Sequence, residues 1–403
     1  MRILYIHQFF LFPDNFGGTR SYDLARKFVE NGYKVTILTT SAKFNNLDTS
    51  KLWNEFERDG IHFWVLSCDY SQLMSYWRRN ISFLKFMFFS LFKALSIRTD
   101  CVLATSPPLT VAFPAIIKRM FSKCKLIYEV RDVWPQAPIE LGALNNRFLQ
   151  KLALKLESWI YKKADFIVPL SDGMKQSIVS RHPNAGGKVL VIPNISEIER
   201  FQHSIVPFDL PIRKEVYKDK KILLYAGTIG FVNGIDYLVR LADGISKLDE
   251  NIHFWVFGRG THKEKAIALA KDLGVLNKNI FFFDPVPKNA LPYLYNLATV
   301  GSSFVIDIPV MLDNCANKFF DTFAAGRPIV INYAGWQADA IQKNDIGFLL
   351  PKVFDEKAVE AFYRYITNDT LLSEQRARAI KVARDEYSLD IAVGKYISIF
   401  KQI

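Results

Sequence analysis

The stretch Asn314-Cys-Ala-Asn-Lys-Phe-Phe-Asp-Thr-Phe-Ala-Ala-Gly-Arg-Pro328, running into Ile329-Val-Ile-Asn332, decides how the chain is read. Its pattern predicts a helix from about Asn317 to Gly326, because glycine commonly stands just past a helix end and Pro328 cannot continue one. The β-branched run 329–331 then reads as a buried strand. Lys318 and Asp321, three apart, share one face of the first turn. Backbone N–H groups at a helix start, reinforced by a lysine, favour a bound phosphate. A carboxylate one turn further in accepts hydrogen bonds from sugar hydroxyls. The pair suits a sugar nucleotide. Taken alone, it better suits a solvated lysine and an acid favourably placed near a helix start.

On both sides of this stretch strands and helices alternate. Ile222-Leu-Leu-Tyr-Ala-Gly227 reads as a strand, with a helix over about 234–247. His253-Phe-Trp-Val-Phe-Gly258 reads as the next strand, with a helix over 262–273. Strands are expected near 279–283, 300–305 and 328–332, and helices over 355–367 and 371–402. The first half follows the same grammar. A strand at 2–7 leads through Phe16-Gly-Gly-Thr-Arg20 into a helix over 19–31, ended by Gly32, and a strand at 34–40. Strands at 61–66, 100–104, 125–130, 165–170 and 188–192 follow, with helices near 107–121, 145–163 and 172–181.

At 403 residues the chain exceeds one ordinary core. The expectation is an α/β protein of two tandem Rossmann-like, doubly wound parallel-sheet domains, with right-handed crossovers and a ligand cleft between them. The first domain is expected over 1–205 and the second over 206–385. A final helix over 386–403 is expected to pack back toward the first, and the polar segment 196–220 reads as the linker.

The net charge of +12 is uneven: residues 1–200 hold 27 Lys+Arg against 17 Asp+Glu, and the remainder 25 against 23. A basic first domain suits anionic partners: nucleic acid, anionic lipid or phosphorylated acceptors. Cys68, Cys101, Cys124 and Cys315 show no metal-binding spacing, which points to reduced thiols in the cytosol. The six histidines form no HxxxH or HExxH pattern. Met1–His7 reads as a first strand rather than a signal peptide. No run reaches the ~18–20 apolar residues of a spanning helix.

Residues 70–99 depart from this pattern. They carry five basic side chains (Arg78, Arg79, Lys85, Lys93, Arg98), no acidic one, and eight aromatics. A basic, aromatic, helical segment of this kind can lie in a membrane interface. It can also be a core helix with solvated lysines. Base stacking on RNA is disfavoured, because no nucleic-acid module is visible.

Six segments occur in a telling order: Phe16-Gly-Gly18; Tyr128-Glu-Val-Arg-Asp-Val-Trp-Pro135; Ile192-Pro-Asn194; Tyr225-Ala-Gly-Thr-Ile-Gly-Phe-Val-Asn-Gly234; Phe257-Gly-Arg-Gly260; and Asn317-Lys-Phe-Phe-Asp-Thr-Phe-Ala-Ala-Gly-Arg-Pro-Ile-Val330. Together they resemble a retaining, GT-B-fold glycosyltransferase of family 4. Within that family they resemble the bacterial O-antigen and capsule branch that includes L-fucosamine (L-FucNAc) transferases. The resemblance implies a C-terminal domain holding a nucleotide sugar, expected to be a UDP-linked N-acetylated deoxyhexosamine such as UDP-L-FucNAc. It implies an N-terminal domain holding an undecaprenyl-diphosphate-linked saccharide, with the protein peripheral on the cytoplasmic face of the bacterial inner membrane. No nucleic acid is implied. No metal is implied either, in keeping with the absence of a DxD motif.

The resemblance also assigns residues. In the family's acidic E-x7-E motif the second acid binds ribose hydroxyls, and Asp321 matches it. Asp313, eight residues earlier, is a weaker match to the first. The family's diphosphate-binding Arg and Lys fall at Thr228 and Asn233, neither of which is basic. Lys318 is therefore expected to neutralise the diphosphate, assisted by Arg131 or Arg259. Gly17 and Gly18 would let backbone approach the diphosphate, and Gly227 belongs to the same site. Gly258 serves a tight turn, Asn317 opens the donor helix, and the backbone at Val286 reads the base. Where relatives carry His-Asp, this chain has Arg131-Asp132. Arginine is no base, but it can steady the departing phosphate. Asp132 would orient Arg131 or the acceptor hydroxyl, or the two form a plain Arg–Asp pair. The implied chemistry is same-face transfer with retention. Alternatives are a GT-B UDP-sugar epimerase and a non-catalytic binding subunit of a polysaccharide assembly complex.

Overall fold

Apolar runs without polar alternation, such as Val102-Leu-Ala104 and Ile222-Leu-Leu-Tyr225, have the character of strands covered on both faces, and they build two separate sheets. The computed structural model describes the chain apart from residues 45, 46, 49, 71–73, 133, 143, 204 and 206 and the side chain of Tyr76. Residues 71–73 of the basic aromatic segment, Val133 of the Arg-Asp-Val-Trp-Pro motif, and residues 204 and 206 of the expected linker therefore lie outside the described residues. The chain divides into two units. One comprises Met1–Phe12, Thr19–Pro193 and Ala392–Ile403, and the other Pro13–Gly18 and Asn194–Ile391.

In the first unit β1 (Arg2–Ile6), β2 (Lys34–Thr40), β3 (Trp53–Arg58), β4 (Ile61–Leu66), β5 (Cys101–Thr105), β6 (Lys125–Val130) and β7 (Phe166–Pro169) form one sheet, ordered β3-β4-β2-β1-β5-β6-β7. All pairings are parallel except β3 with β4. Its core includes Leu4, Ile6, Leu38, Val102, Ala104, Leu126 and Ile167. In the second unit β8 (Lys221–Ala226), β9 (Ile252–Phe257), β10 (Ile280–Phe283), β11 (Val300–Ser303), β12 (Ile329–Ile331) and β13 (Gly347–Leu349) form an all-parallel sheet ordered β10-β9-β8-β11-β12-β13. Leu223, Tyr225, Leu238, Phe254, Val256 and Val330 centre its core. Each sheet is doubly wound: the chain leaves β1 or β8 toward one edge and later returns to the other side of the same strand.

The stretch that decided the reading folds as expected. Its helix spans Asn317–Ala324. Gly326, at φ 61°, and Arg327 close it, their N–H groups bonding to Phe323 O and Thr322 O, each at 2.9 Å. That is the paired-carbonyl ending which favours glycine at this position.

Two expectations needed correction. Residues 188–192 form no strand. Val189 makes a single bridge to Ile167, because a helical turn over Pro183–Lys188 precedes it and Pro193 has no N–H to continue a ladder. The C-terminal helix is two helices, Asp369–Asp385 and Leu389–Phe400. Between them Tyr387 O accepts from Ser196 N and Ser388 bridges Ser196, which takes that backbone out of the helix. The strands β3 and β13 and the helix Trp336–Asn344 were not anticipated.

Candidate functional site

In doubly wound sheets ligands bind beyond the carboxyl ends of the strands where the order reverses. In the second unit that point lies between β8 and β11. β8 delivers Gly227 there, and the Asn317–Ala324 helix delivers Lys318. A Cβ on Gly227 would lie 3.2 Å from Lys318 Nζ and 3.3 Å from its Cδ, so the missing side chain is the space the lysine occupies. The ammonium sits 4.7 Å from the Tyr225 ring centroid. Desolvation lowers the Lys318 pKa to about 8, with nearby Asp321 opposing the shift. Lys318 is thus partly buried against Gly227 and Tyr225.

Gly258 closes the floor of the site: a Cβ there would stand 1.9 Å from Gly227 O. The loop after β8 is fixed from within, as Tyr225 OH donates to Thr228 O at 2.6 Å and Asn233 Oδ1 accepts from Gly230 N at 3.0 Å. Thr228 is exposed, and the Asn233 oxygen already serves its own turn. Arg259 is exposed, its guanidinium 3.8 Å from the Phe16 ring centroid. A Cβ on Gly18 would fall 2.3 Å from Asn317 Nδ2, so Gly18 lets the Pro13–Gly18 segment lie against the helix start. Gly17 takes φ 131°, in the region that favours glycine.

Asp321 is 6% exposed, and its Oδ1 accepts from Lys288 Nζ at 2.5 Å, with Lys288 itself 5% exposed. Sequence reasoning missed Lys288. It follows a Pro-Val-Pro turn after β10, and no local pattern ties it to an acid thirty-three residues on. Val286, two residues before it, is buried, and Asp313 closes the short turn Pro309–Asp313 ahead of the Asn317–Ala324 helix. The structure thus gathers Gly17, Gly18, Gly227, Thr228, Asn233, Gly258, Arg259, Val286, Asp313, Asn317, Lys318 and Asp321 into one unit.

Arg131 and Asp132 belong to the other unit, just past the end of β6. Arg131 N donates to Ser106 Oγ at 3.1 Å, and Asp132 is exposed. Two neighbours there were also missed. His7, just beyond β1, is 3% exposed, and its Nδ1 has no hydrogen-bond partner among the described residues. Burial, and then the charge of Arg131, hold it well below the ordinary histidine pKa, so the ring is neutral. Glu129, fully buried, accepts from Arg20 Nε at 2.6 Å, Thr105 Oγ1 at 3.0 Å and Tyr396 OH at 3.2 Å. Burial works to raise its pKa, but Arg20 and Arg131 outweigh burial and hold it below the usual value.

The basic aromatic segment forms the helix Tyr76–Ser96. Phe86, Ser90 and Ala94 are buried, whereas Trp77, Ile81, Leu84, Phe88, Phe92 and Leu95 are exposed, Trp77 by 77%. Those six recur every three or four residues and so form one exposed stripe. The core-helix reading is realised on the buried face, and the opposite face carries the exposed stripe. Among the described residues no helix is long and apolar enough to cross a membrane.

The fold and this site define a class. The chain belongs to the GT-B glycosyltransferases: residues 17–195 match the glycosyl transferase 4-like domain and residues 209–386 the glycosyl transferases group 1 domain. Among individual relatives it is similar to WcaI of Escherichia coli K12, assigned as a colanic acid biosynthesis glycosyl transferase. The two are 26% identical over 222 residues, 54% of this chain and 53% of WcaI, so the match spans about half the length of that relative. Two solved structures share the fold. Sucrose-phosphate synthase from Thermosynechococcus elongatus has a TM-score of 0.73 at 13% identity, covering 100% of this chain and 98% of its own. HepE of Anabaena, solved with UDP-glucose, has a TM-score of 0.68 at 13% identity, covering 100% of both.

Proposed function

We propose that the chain transfers an N-acetylated deoxyhexosamine, of the L-FucNAc kind, from a UDP-linked donor to an undecaprenyl-diphosphate-linked saccharide, with retention, in bacterial O-antigen or capsule synthesis. One observation carries the donor half of this reading. Lys318 lies in the space left by Gly227, beside the N-terminus of its own helix, where the sheet order reverses. A diphosphate placed there would meet helix N–H groups and a cation without a side chain in the way. Arg259 supplies a second positive charge. The family assigns Asp321 to the ribose and the backbone at Val286 to the base. Arg131 and Asp132 lie in the unit that the resemblance assigns to the acceptor. The reading calls for no metal, because positioning and fixed positive charge carry the step.

UDP as the carrier is supported by the UDP-glucose bound to HepE, and the polysaccharide setting by the description of WcaI. A peripheral position on an anionic membrane is supported by the exposed apolar stripe of the Tyr76–Ser96 helix, which carries the exposed Arg78 near its start and has no acid. The test is thermal stabilisation of the purified protein by UDP, GDP and ADP and their sugar conjugates, with and without EDTA. A ligand at a hundred times its dissociation constant adds about 2.7 kcal/mol. Selective stabilisation by UDP compounds, unchanged by EDTA, is expected. Selective stabilisation by GDP or ADP compounds would discard the UDP donor, and no effect from any nucleotide would refute the transferase reading.

A further inference from the structure

We infer that Lys288 is a positioning residue for the donor: its ammonium fixes the Asp321 carboxylate so that the acid can grip the ribose hydroxyls. The inference rests on the proposed function, in which Asp321 meets the ribose, and adds a residue which that reading does not contain. Both side chains are more than nine-tenths buried, and Nζ and Oδ1 stand 2.5 Å apart. A carboxylate that must accept two hydroxyl protons from a ligand needs one orientation. A buried ammonium at one oxygen supplies it, as a second residue behind a ligating acid does in metal sites.

The lysine is itself held in place. Its backbone N donates to Asn15 O at 2.8 Å, and Asn289 N donates to Pro13 O at 3.0 Å. The Phe201 ring lies 5.4 Å from Nζ, giving the charge an aromatic neighbour as well as the acid. Val286, the expected base contact, is two residues away on the same turn. The segment from Val286 to Lys288 would therefore place the base and, through Asp321, the ribose from one rigid piece of backbone. The two bonds to Asn15 and Pro13 also connect it to the segment that presents Gly17 and Gly18.

The test compares binding of UDP and 2′,3′-dideoxy-UDP by titration calorimetry. Charge-assisted hydrogen bonds to the ribose predict that wild-type protein prefers UDP by about ten- to a hundredfold. Asp321→Asn should reduce that preference. Lys288→Met should reduce it as far by weakening UDP and leaving dideoxy-UDP unchanged, and adding it to Asp321→Asn should do nothing more. A purely structural lysine would weaken both ligands equally. If Lys288→Met does not fold, Lys288→Gln keeps a polar head in the pocket and must give the same selective loss. Preference lost in Asp321→Asn but kept in the Lys288 variants overturns the inference and leaves the donor reading standing. A wild-type protein that binds UDP and dideoxy-UDP alike removes Asp321 from the ribose, and both fall together.

Discussion

Replacing Lys318 by methionine should have opposite effects on the empty and the occupied protein. In the empty protein desolvation lowers the lysine from 10.5 to about 8. At full weight that shift corresponds to about 3 kcal/mol of unfavourable charge burial. Solvent screening at a half-buried side chain roughly halves it, to about 1.5 kcal/mol. Methionine keeps the stem lying against Gly227 and removes the charge, so the unliganded variant should melt higher, by about 2–4 °C per kcal/mol. With UDP the sign reverses, because a charge-assisted contact to the diphosphate is lost and affinity falls about ten- to a hundredfold. At a concentration that gave wild type about 2.7 kcal/mol, a hundredfold weaker site retains about 0.4 kcal/mol. Differential scanning fluorimetry with and without UDP reads both effects. The pH dependence follows from the same shift. Since the folded pKa lies below the unfolded one, the folded state binds fewer protons between about 8 and 10.5, and stability of the empty protein rises with pH through that window. UDP affinity moves the other way, flat below about 8 and falling by up to about tenfold per unit above it. The nucleotide's own second ionisation, near ~6, is complete by then. A methionine variant that melts lower yet keeps its full response to UDP, or an affinity flat to pH 9.5, would refute the placement of the diphosphate on Lys318.

Two further outcomes follow from the first unit. Phe88→Ser with Phe92→Ser should cut sedimentation with anionic vesicles by about tenfold or more per residue if both rings enter the bilayer. Because both rings are already exposed, urea stability should stay within about 0.5 kcal/mol, and unchanged sedimentation would remove the stripe from the membrane. Glu129→Gln should cost about 3–5 kcal/mol in urea unfolding, since it removes the counter-charge of the buried Arg20 and leaves its guanidinium only the Ile192 and Pro193 carbonyls and a neutral amide. With its folded pKa depressed, Glu129 contributes stability that is present above the ordinary glutamate pKa and lost as pH falls through the lowered value. A variant as stable as wild type would show that this ion pair holds nothing together.

The sheets were legible because the strands are buried on both faces and carry their signal as bare apolar runs, and because Gly32 and Gly326 mark helix ends whatever the tertiary context. What escaped had weaker local signals. β3, Trp-Asn-Glu-Phe-Glu-Arg58, is an edge strand with half its residues charged, and only its pairing with β4 makes it a strand. The Asp369–Phe400 segment looked like one helix because its interruption comes from Ser196, almost two hundred residues away. The exposed stripe was visible as composition but not as a face, since the same aromatics would serve a core helix until burial distinguishes Phe86 from Phe88.

The residues proposed for the donor show the same limit in sharper form. Sequence places Gly227, Gly258 and Lys318 far apart, and each has a commonplace local explanation as a strand end, a turn and a helix start. In the fold they form one chain of contacts. Gly258 has no side chain because Gly227 O occupies that space, 1.9 Å from where its Cβ would stand. Gly227 has none because Lys318 lies there. The loop that follows, with Thr228 and Asn233 where the family carries basic residues, is held by its own hydrogen bonds and offers no cation. Positive charge reaches that strand end from the helix at Lys318, while Arg259, on the loop after β9, lies over the Phe16 ring. Losing two cations from the loop therefore does not by itself imply a dead site. On the proposed reading the half-desolvated ammonium serves the donor, since methionine at this position is expected to make the empty protein more stable.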